Sequence, residues 1–316
     1  MSSNVAHPAA LPRTWSAAAL SVDELAGHKA ELGLTVSVVL PARNERTTIA
    51  GVVGACLALA DKLVDELVVL DGRSDDGTAE AAAEAGARVH DDAAILPEFG
   101  PALGKGDALW RSLAVTSGDI VAFVDTDIRN PDPRFVYGLV GPLLLDAELQ
   151  LVKAFYDRPV EIGDVLHPSG GGRVTELTAR PLLNLFWPDL AALVQPLSGE
   201  YAGRRALLEA LPFFTGYGVE LGMLIDTLAL AGARAIGQVD LSERIHRNQD
   251  LEALSRMAFG IAQVAMRRLA ADGRLAPDLE LPTRYVQFAR AVAGVQRSER
   301  EVAIVERPAL RSLRRG

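Results

Sequence analysis

A chain of 316 residues with 49% hydrophobic and 23% charged residues can bury one large core or two modest ones, and its composition excludes a disordered or fibrous protein. The formal net charge of −9 excludes a general nucleic-acid binder, which needs a basic footprint, so an anionic ligand has to meet a local cluster of Arg and Lys. The single cysteine, Cys56, excludes an internal disulfide and fits a reducing compartment such as the cytoplasm, while Asp146 and Glu148 break the richest apolar run and argue against integral membrane contact.

Residues 1–33 read as a non-cleaved N-terminal arm, because Arg13 interrupts its Ala-rich patches and no charged n-region precedes them; a short helix is expected over 22–32. Residues 35–42 are a β-branched run closed by Pro41, a first strand followed by the turn Arg43, Asn44, Glu45 and by a helix capped at Thr47 or Thr48. A second buried strand over 66–71 ends in Asp71, with a Gly72 to Gly77 loop and an Ala-rich helix behind it. After a brief strand at 88–90 a longer loop ends in Gly104, Lys105, Gly106 and a helix to Val115. Ile120, Val121, Phe123 and Val124 form a fourth strand, apolar enough to be buried on both faces, and it ends in Asp125-Thr126-Asp127. Four alternations of strand and helix predict an α/β fold with a doubly wound, mostly parallel sheet.

Further on, the pattern predicts a helix at 135–145, a strand at 149–155 and a mobile Gly-rich loop over 161–172. Helices follow at 174–185 and 189–194, then a turn and short strand over 196–205, helices at 205–211 and 217–230, and a last strand at 235–239. The chain becomes helical from Leu251 to Asp272, and residues 277–316 read as a loosely attached, basic tail. The domain plan is an arm (1–33), a catalytic domain (34–250, with a nucleotide-binding half to about 130 and an acceptor half after it) and a helical C-terminal extension with a tail (251–316).

Ligands of open α/β sheets bind outside the carboxyl ends of the strands, where Asp125 and Asp127 fall. Two unpaired carboxylates at a buried strand end are costly unless they meet a cation, and oxygen ligands suit Mg²⁺ or Mn²⁺ shared with a substrate diphosphate. An ordinary acidic loop is the competing reading. Pro41 to Glu45 and Asp71 sit where a nucleoside could be held, and Lys105 between two glycines could approach a phosphate. Glu220 is either a helix-start acid or a grip on sugar hydroxyls. Arg244, His246 and Arg247 lie within one turn, so His246 could complete an Asp-Asp-His metal site while the arginines neutralise a diphosphate. Gly172, Arg173, Val174 and Thr175 open a helix suited to a phosphate or carboxylate, with a linker carrying an incidental Arg as the alternative.

Assembled, these residues resemble the actinobacterial glucosyl-3-phosphoglycerate synthases, retaining glycosyltransferases of GT-A fold. The resemblance runs from roughly Val36 to Arg268. Its motifs are Val38 to Ala42, Lys105 to Leu113, Asp125 to Asp127, Gly170 to Leu177 with Ala179 to Leu183, Gln195 to Ala202, Gly216 to Glu220, and His246 to Asn248. It implies transfer of glucose from UDP-glucose or GDP-glucose to the 2-hydroxyl of 3-phosphoglycerate, by a homodimer using Mg²⁺ or Mn²⁺. Asp127 and His246 would ligate the metal; Asp127, Glu220, Arg244 and Leu197 would form the catalytic centre. Pro41, Ala42, Arg43, Asn44, Glu45, Asp71, Gly72, Lys105, Asp125, Thr126 and Tyr217, with Glu220 and Arg244, would hold the nucleotide sugar. Gly172, Arg173, Val174, Thr175 and Asn248 would hold the acceptor. The family pattern differs at Arg43-Asn44 (Leu-Asp), Gly72 (Ser) and Thr126 (Ser), loops that read the donor. With no carboxylate obviously placed as a nucleophile, attack from the leaving-group face is expected; a glycosyl adduct on Glu200 or Glu220 would contradict it. Mannosyl-3-phosphoglycerate synthase with GDP-mannose, a sugar-phosphate nucleotidyltransferase and a non-catalytic sugar-nucleotide sensor remain alternatives.

Overall fold

A computed structural model describes residues 12–158, 160–162, 165–167, 172–245, 250–276, 280–291 and 294–314. Its first half runs β1 (Arg13–Ser16), α1 (Val22–Leu32), β2 (Val36–Ala42), α2 (Ile49–Leu57), β3 (Glu66–Asp71), α3 (Thr78–Glu84), β4 (Arg88–Asp91), α4 (Lys105–Val115), β5 (Ile120–Phe123), α5 (Arg134–Leu145) and β6 (Leu151–Asp157). The second half adds β7 (Val160–Ile162), β8 (Val165–His167), α6 (Arg180–Phe186), β9 (Tyr201–Arg204), α7 (Arg205–Leu208), β10 (Phe213–Phe214), α8 (Val219–Ala231) and β11 (Ile236–Glu243). It closes with α9 (Leu251–Ala271), β12 (Arg284–Ala291), β13 (Gly294–Glu301), β14 (Glu306–Arg307) and α10 (Leu310–Leu313).

Among the described residues, eight strands share one sheet in the order β1-β11-β6-β9-β5-β2-β3-β4. Neighbours run parallel except at β9, which is antiparallel to both β5 and β6. The side chains of β2 explain why the sheet is dry on both faces: Val36, Val38 and Leu40 enter one core layer and Val39 the other. Full burial of each such side chain contributes roughly 1.5–3 kcal/mol. Helices α1, α2 and α5 cover the first face, and α4, α8 and α9 contribute to the second. This is the GT-A arrangement, with a C-terminal helix beyond it.

The reversed strand matters for chemistry. Phe123 of β5 pairs with Tyr201 of β9, so the residue before β9, Glu200, comes to the same sheet edge as the residues after β5. The carboxyl ends of β6 and β11 bring Tyr156 and Arg244 to that edge as well.

Three sequence expectations change. The segment read as a free N-terminal arm contributes β1, which pairs in parallel with β11 as the sheet's edge strand, Trp15 opposite Val239. Within the loop expected over 161–172, β7 and β8 pair as a short antiparallel hairpin, while 168–171 lie outside the described residues. The loosely attached tail is instead tied down: β14 pairs with β10, Ile304 and Leu310 are buried, and Trp110 Nε1 donates to Pro308 O at 2.8 Å. Its basic composition concealed that Arg307 is a buried partner of Asp107, donating to both carboxylate oxygens at 2.9 and 2.7 Å.

Candidate active site

The sheet edge opens onto a cavity of about 640 Å³. Its centre is a charged cluster. Lys105 Nζ, at the start of α4, lies 2.5 Å from Asp125 Oδ1 and 3.2 Å from Glu220 Oε1. Arg244, just past β11, reaches Asp127 Oδ1 at 2.5 Å, Asp125 Oδ2 at 3.3 Å and Glu200 Oε1 at 2.9 Å. Glu200 also accepts a hydrogen bond from the Tyr156 hydroxyl, and the Arg244 guanidinium stands 5.6 Å from the Tyr156 ring centre. Two cations therefore meet four carboxylates (Asp125, Asp127, Glu200, Glu220), an excess of two negative charges within the cluster.

The environment separates the two aspartates. Burial pushes the Asp125 carboxyl up, but Lys105 and Arg244 outweigh it and hold Asp125 down at about 2. Burial also raises Asp127, and there the charge of Asp125 adds to it while Arg244 opposes it without prevailing. Asp127 keeps 30% of its side chain exposed. A carboxylate so placed, with Oδ1 on Arg244 and its side chain open to the cavity, fits one oxygen ligand of a divalent ion completed by substrate phosphates. Among the described residues no group of three His, Cys, Asp or Glu could hold a metal by itself. His246 and Asn248 lie outside the described residues.

One end of the cavity is lined by Pro41, Ala42, Arg43, Glu45 and Gly72. Thr126 secures this end to the cluster, its hydroxyl donating to Pro41 O at 2.9 Å. Asn44 takes a left-handed backbone (φ 57) and joins two turns: its amide donates to Ser74 Oγ at 2.9 Å and its Oδ1 accepts from Asp75 N at 3.1 Å. Asn44 and Asp71 do not line the cavity. Asp71 is buried beside it; Oδ2 accepts from Ser74 N at 3.0 Å, while Oδ1 has no partner among the described residues. At the other end lie Gly172, Arg173, Val174, Thr175, Leu197 and Tyr217, with Leu254, Met257 and Ile261 of α9 as an apolar wall.

Gly199 is required by proximity: a Cβ there would collide with Asp125 Oδ2 and Lys105 Nζ. That contact explains how the loop carrying Leu197 and Glu200 closes against the cluster. Sequence reasoning missed several members. Glu200 entered it only as a site for an adduct, because nothing local announces that β9 is reversed. Lys153 is fully buried in β6, donating to Ser198 O and lying 4.4 Å from the Tyr201 ring centre; burial pushes it down to about 7. Arg158 lines the cavity and donates to the Tyr156 hydroxyl at 3.0 Å, and Asp92 lines the cavity too. A Lys within an apolar strand is the one signal in the sequence that points to any of these.

The chain is similar to known proteins. Residues 37–181 match the glycosyl transferase family 2 model. Glucosyl-3-phosphoglycerate synthase from Petrotoga mobilis is 46% identical over 291 residues, 91% of this chain and 90% of the relative. The crystal structure of mannosyl-3-phosphoglycerate synthase from Rubrobacter xylanophilus superposes with a TM-score of 0.88 at 42% identity, covering 95% of this chain and 96% of that one. The crystal structure of glucosyl-3-phosphoglycerate synthase from Mycobacterium tuberculosis in complex with Mn²⁺, UDP and glucosyl-3-phosphoglycerate gives 0.84 at 45% identity, covering 96% and 100%.

Proposed function

The chain belongs to the glucosyl-3-phosphoglycerate synthases, glycosyltransferases of family 2, and from that premise we propose that it transfers glucose from UDP-glucose to the 2-hydroxyl of 3-phosphoglycerate with retention of anomeric configuration. The observation that carries the reading is the cluster of two cations and four carboxylates at the sheet edge, with the Pro41 to Glu45 loop on one side and Arg173 on the other. A complex of the Mycobacterium tuberculosis relative with UDP and glucosyl-3-phosphoglycerate supports the choice of substrates.

In this reading the nucleoside lies against Pro41, Ala42, Arg43 and Glu45, with Gly72 beneath it and Asn44 and Asp71 shaping the loops from behind. Asp127, with His246, would hold a Mg²⁺ or Mn²⁺ ion that neutralises the donor diphosphate when bound. Lys105 and Arg244 are preset by their carboxylate partners to stabilise charge on the departing diphosphate, and preset charges of this kind lower a barrier more than any other device such a site has. Tyr217 and Glu220 face the glucose. Gly172, Arg173, Val174 and Thr175 at the start of a helix, with Asn248, hold the phosphoglycerate. Glu200 is tied to Arg244 and Tyr156, and Glu220 to Lys105, so neither stands ready as a nucleophile. Attack from the leaving-group face, guided by the Leu197 loop, accounts for retention.

The test is nucleoside diphosphate release from UDP-glucose, GDP-glucose and GDP-mannose, each with and without 3-phosphoglycerate. Release that needs both UDP-glucose and the acceptor is expected. Pyrophosphate release, or turnover indifferent to 3-phosphoglycerate, overturns the reading. The Rubrobacter xylanophilus match gives a mannosyl reading a specific footing, and faster turnover of GDP-mannose would select it. The enzyme is further proposed to work in the cytoplasm as a homodimer, which sedimentation checks directly; a monomer mass contradicts it.

A further inference from the structure

A lysine inside an apolar strand calls for a physical reason, and Lys153 of β6, 2% exposed, takes no part in the steps above. Register sets its neighbours. Lys153 lies opposite Gln238 on β11 and opposite Tyr201 on β9, so the three side chains form one row across a single face of the sheet. All three are buried. A buried polar side chain costs stability unless it finds a partner, and two of the three find theirs in the same loop. Gln238 Oε1 accepts from Val194 N at 2.9 Å, and Lys153 Nζ donates to Ser198 O while standing over the Tyr201 ring.

The segment 194–200 is thus tied to the sheet at spaced points. Gln195 Nε2 adds a bond to Tyr156 O at 2.6 Å, and Glu200 O accepts from Ala154 N at 3.0 Å. Ser198 sits between Leu197 and Gly199, both of which line the cavity, and among the described residues its carbonyl is met by Lys153 alone. Because a trans peptide is planar, aiming the Ser198 carbonyl at Lys153 turns the Gly199 N–H the opposite way. Gly199 then rests where an added Cβ would collide with Asp125 Oδ2 and Lys105 Nζ. A rotation of that one peptide disturbs Leu197 and the charged cluster together. Burial, helped by Lys105, pushes the Lys153 amine down to about 7 against the pull of Glu220, Glu200 and Asp125, and the ammonium and the neutral amine both carry an N–H for Ser198 O.

We infer that Lys153 is a positioning residue for glycosyl transfer: from outside the cavity it locks residues 197–199 against Asp125 and Lys105, and so fixes the Leu197 loop on the face where the acceptor attacks. The inference rests on the transfer reading above and adds to it a residue that lines no part of the cavity.

Hydrogen exchange over residues 194–200 and steady-state kinetics with UDP-glucose and 3-phosphoglycerate test it in the full chain. Lys153→Met keeps the length of the side chain in an apolar layer and removes a buried amine, so folding is preserved while the donor is lost. Lys153→Arg keeps a donor. In the Met variant exchange over 194–200 should quicken and kcat should fall by about ten- to a hundredfold, with the KM for UDP-glucose within about twofold of wild type; the Arg variant should recover part of the kcat. A lysine that served stability alone would shift the melting temperature and leave kcat per folded molecule unmoved. Unchanged exchange, faster exchange with unchanged kcat, or an Arg variant no better than Met overturns the inference. A wild type that turns over no UDP-glucose overturns the donor reading instead, and exchange in Lys153→Met still decides whether the tie exists.

Discussion

At the scale of single residues, the site is governed by charge that is unequally compensated. Asp127 is the carboxylate raised by burial and by Asp125, so Asp127→Asn should abolish metal-dependent turnover, a loss of at least about a hundredfold in kcat, while the melting temperature stays close to wild type. Turnover that survives at wild-type level without added metal would remove the donor mechanism. Arg173→Ala should raise the KM for 3-phosphoglycerate more than that for the nucleotide sugar; equal effects in steady-state kinetics would misplace the acceptor. Lys153 offers a pH signature. Its folded value is about 7 against an ordinary 10.5, so between those limits the unfolded chain binds the proton that the folded chain has lost, and stability rises with pH. The melting temperature of wild type relative to Lys153→Met should therefore climb from pH 7 toward 10, and a flat difference contradicts the burial argument. Pro41 to Glu45, Lys105, Asp125 to Asp127 and Arg173 to Thr175 stand out in the sequence because each is a local motif at a strand or helix end. Glu200 does not, since its significance arises only from neighbours distant in sequence, and Lys153 shows only as a lysine inside an apolar strand.

Among the elements, α4 depends on a contact from the C-terminal segment. Asp107 on its first turn accepts from Arg307 and, through Oδ2, from Leu103 N at 2.9 Å, and Arg307 also donates to Phe99 O at 2.8 Å. The loop leading into Lys105 is thereby held from both sides. Arg307→Ala leaves Asp107 buried with a lost partner, a change of about 3–5 kcal/mol in stability. It should raise the KM for the nucleotide sugar in whatever fraction stays folded; a wild-type melt and wild-type kinetics together would show the contact to be dispensable. This tie was illegible because the tail has no periodicity of its own: two short elements and one arginine do the anchoring. The edge strand β1 escaped notice for a related reason. Its four residues alternate partly buried and exposed, too short a pattern to distinguish from coil without β11 beside it.

Across the whole molecule, alternation of apolar strands and helices was enough to announce a doubly wound sheet, and β2, β3 and β5 begin and end close to where the apolar runs do. What alternation cannot convey is strand order. The insertion of β9 between β5 and β6 joins two halves of the chain into one sheet, and the site lies across that junction, with Asp125 from one side and Arg244 from the other. A net charge of −9 coexists with an anion-handling site because Lys105, Arg158, Arg173 and Arg244 all converge on one cavity. The clasp between Asp107 and Arg307 spans 200 positions of sequence, and that span sets an order of events during synthesis. A ribosome adding roughly 5–20 residues per second completes α4 well before Arg307 is made. Until Arg307 arrives, the loop that leads into Lys105 is held from one side only.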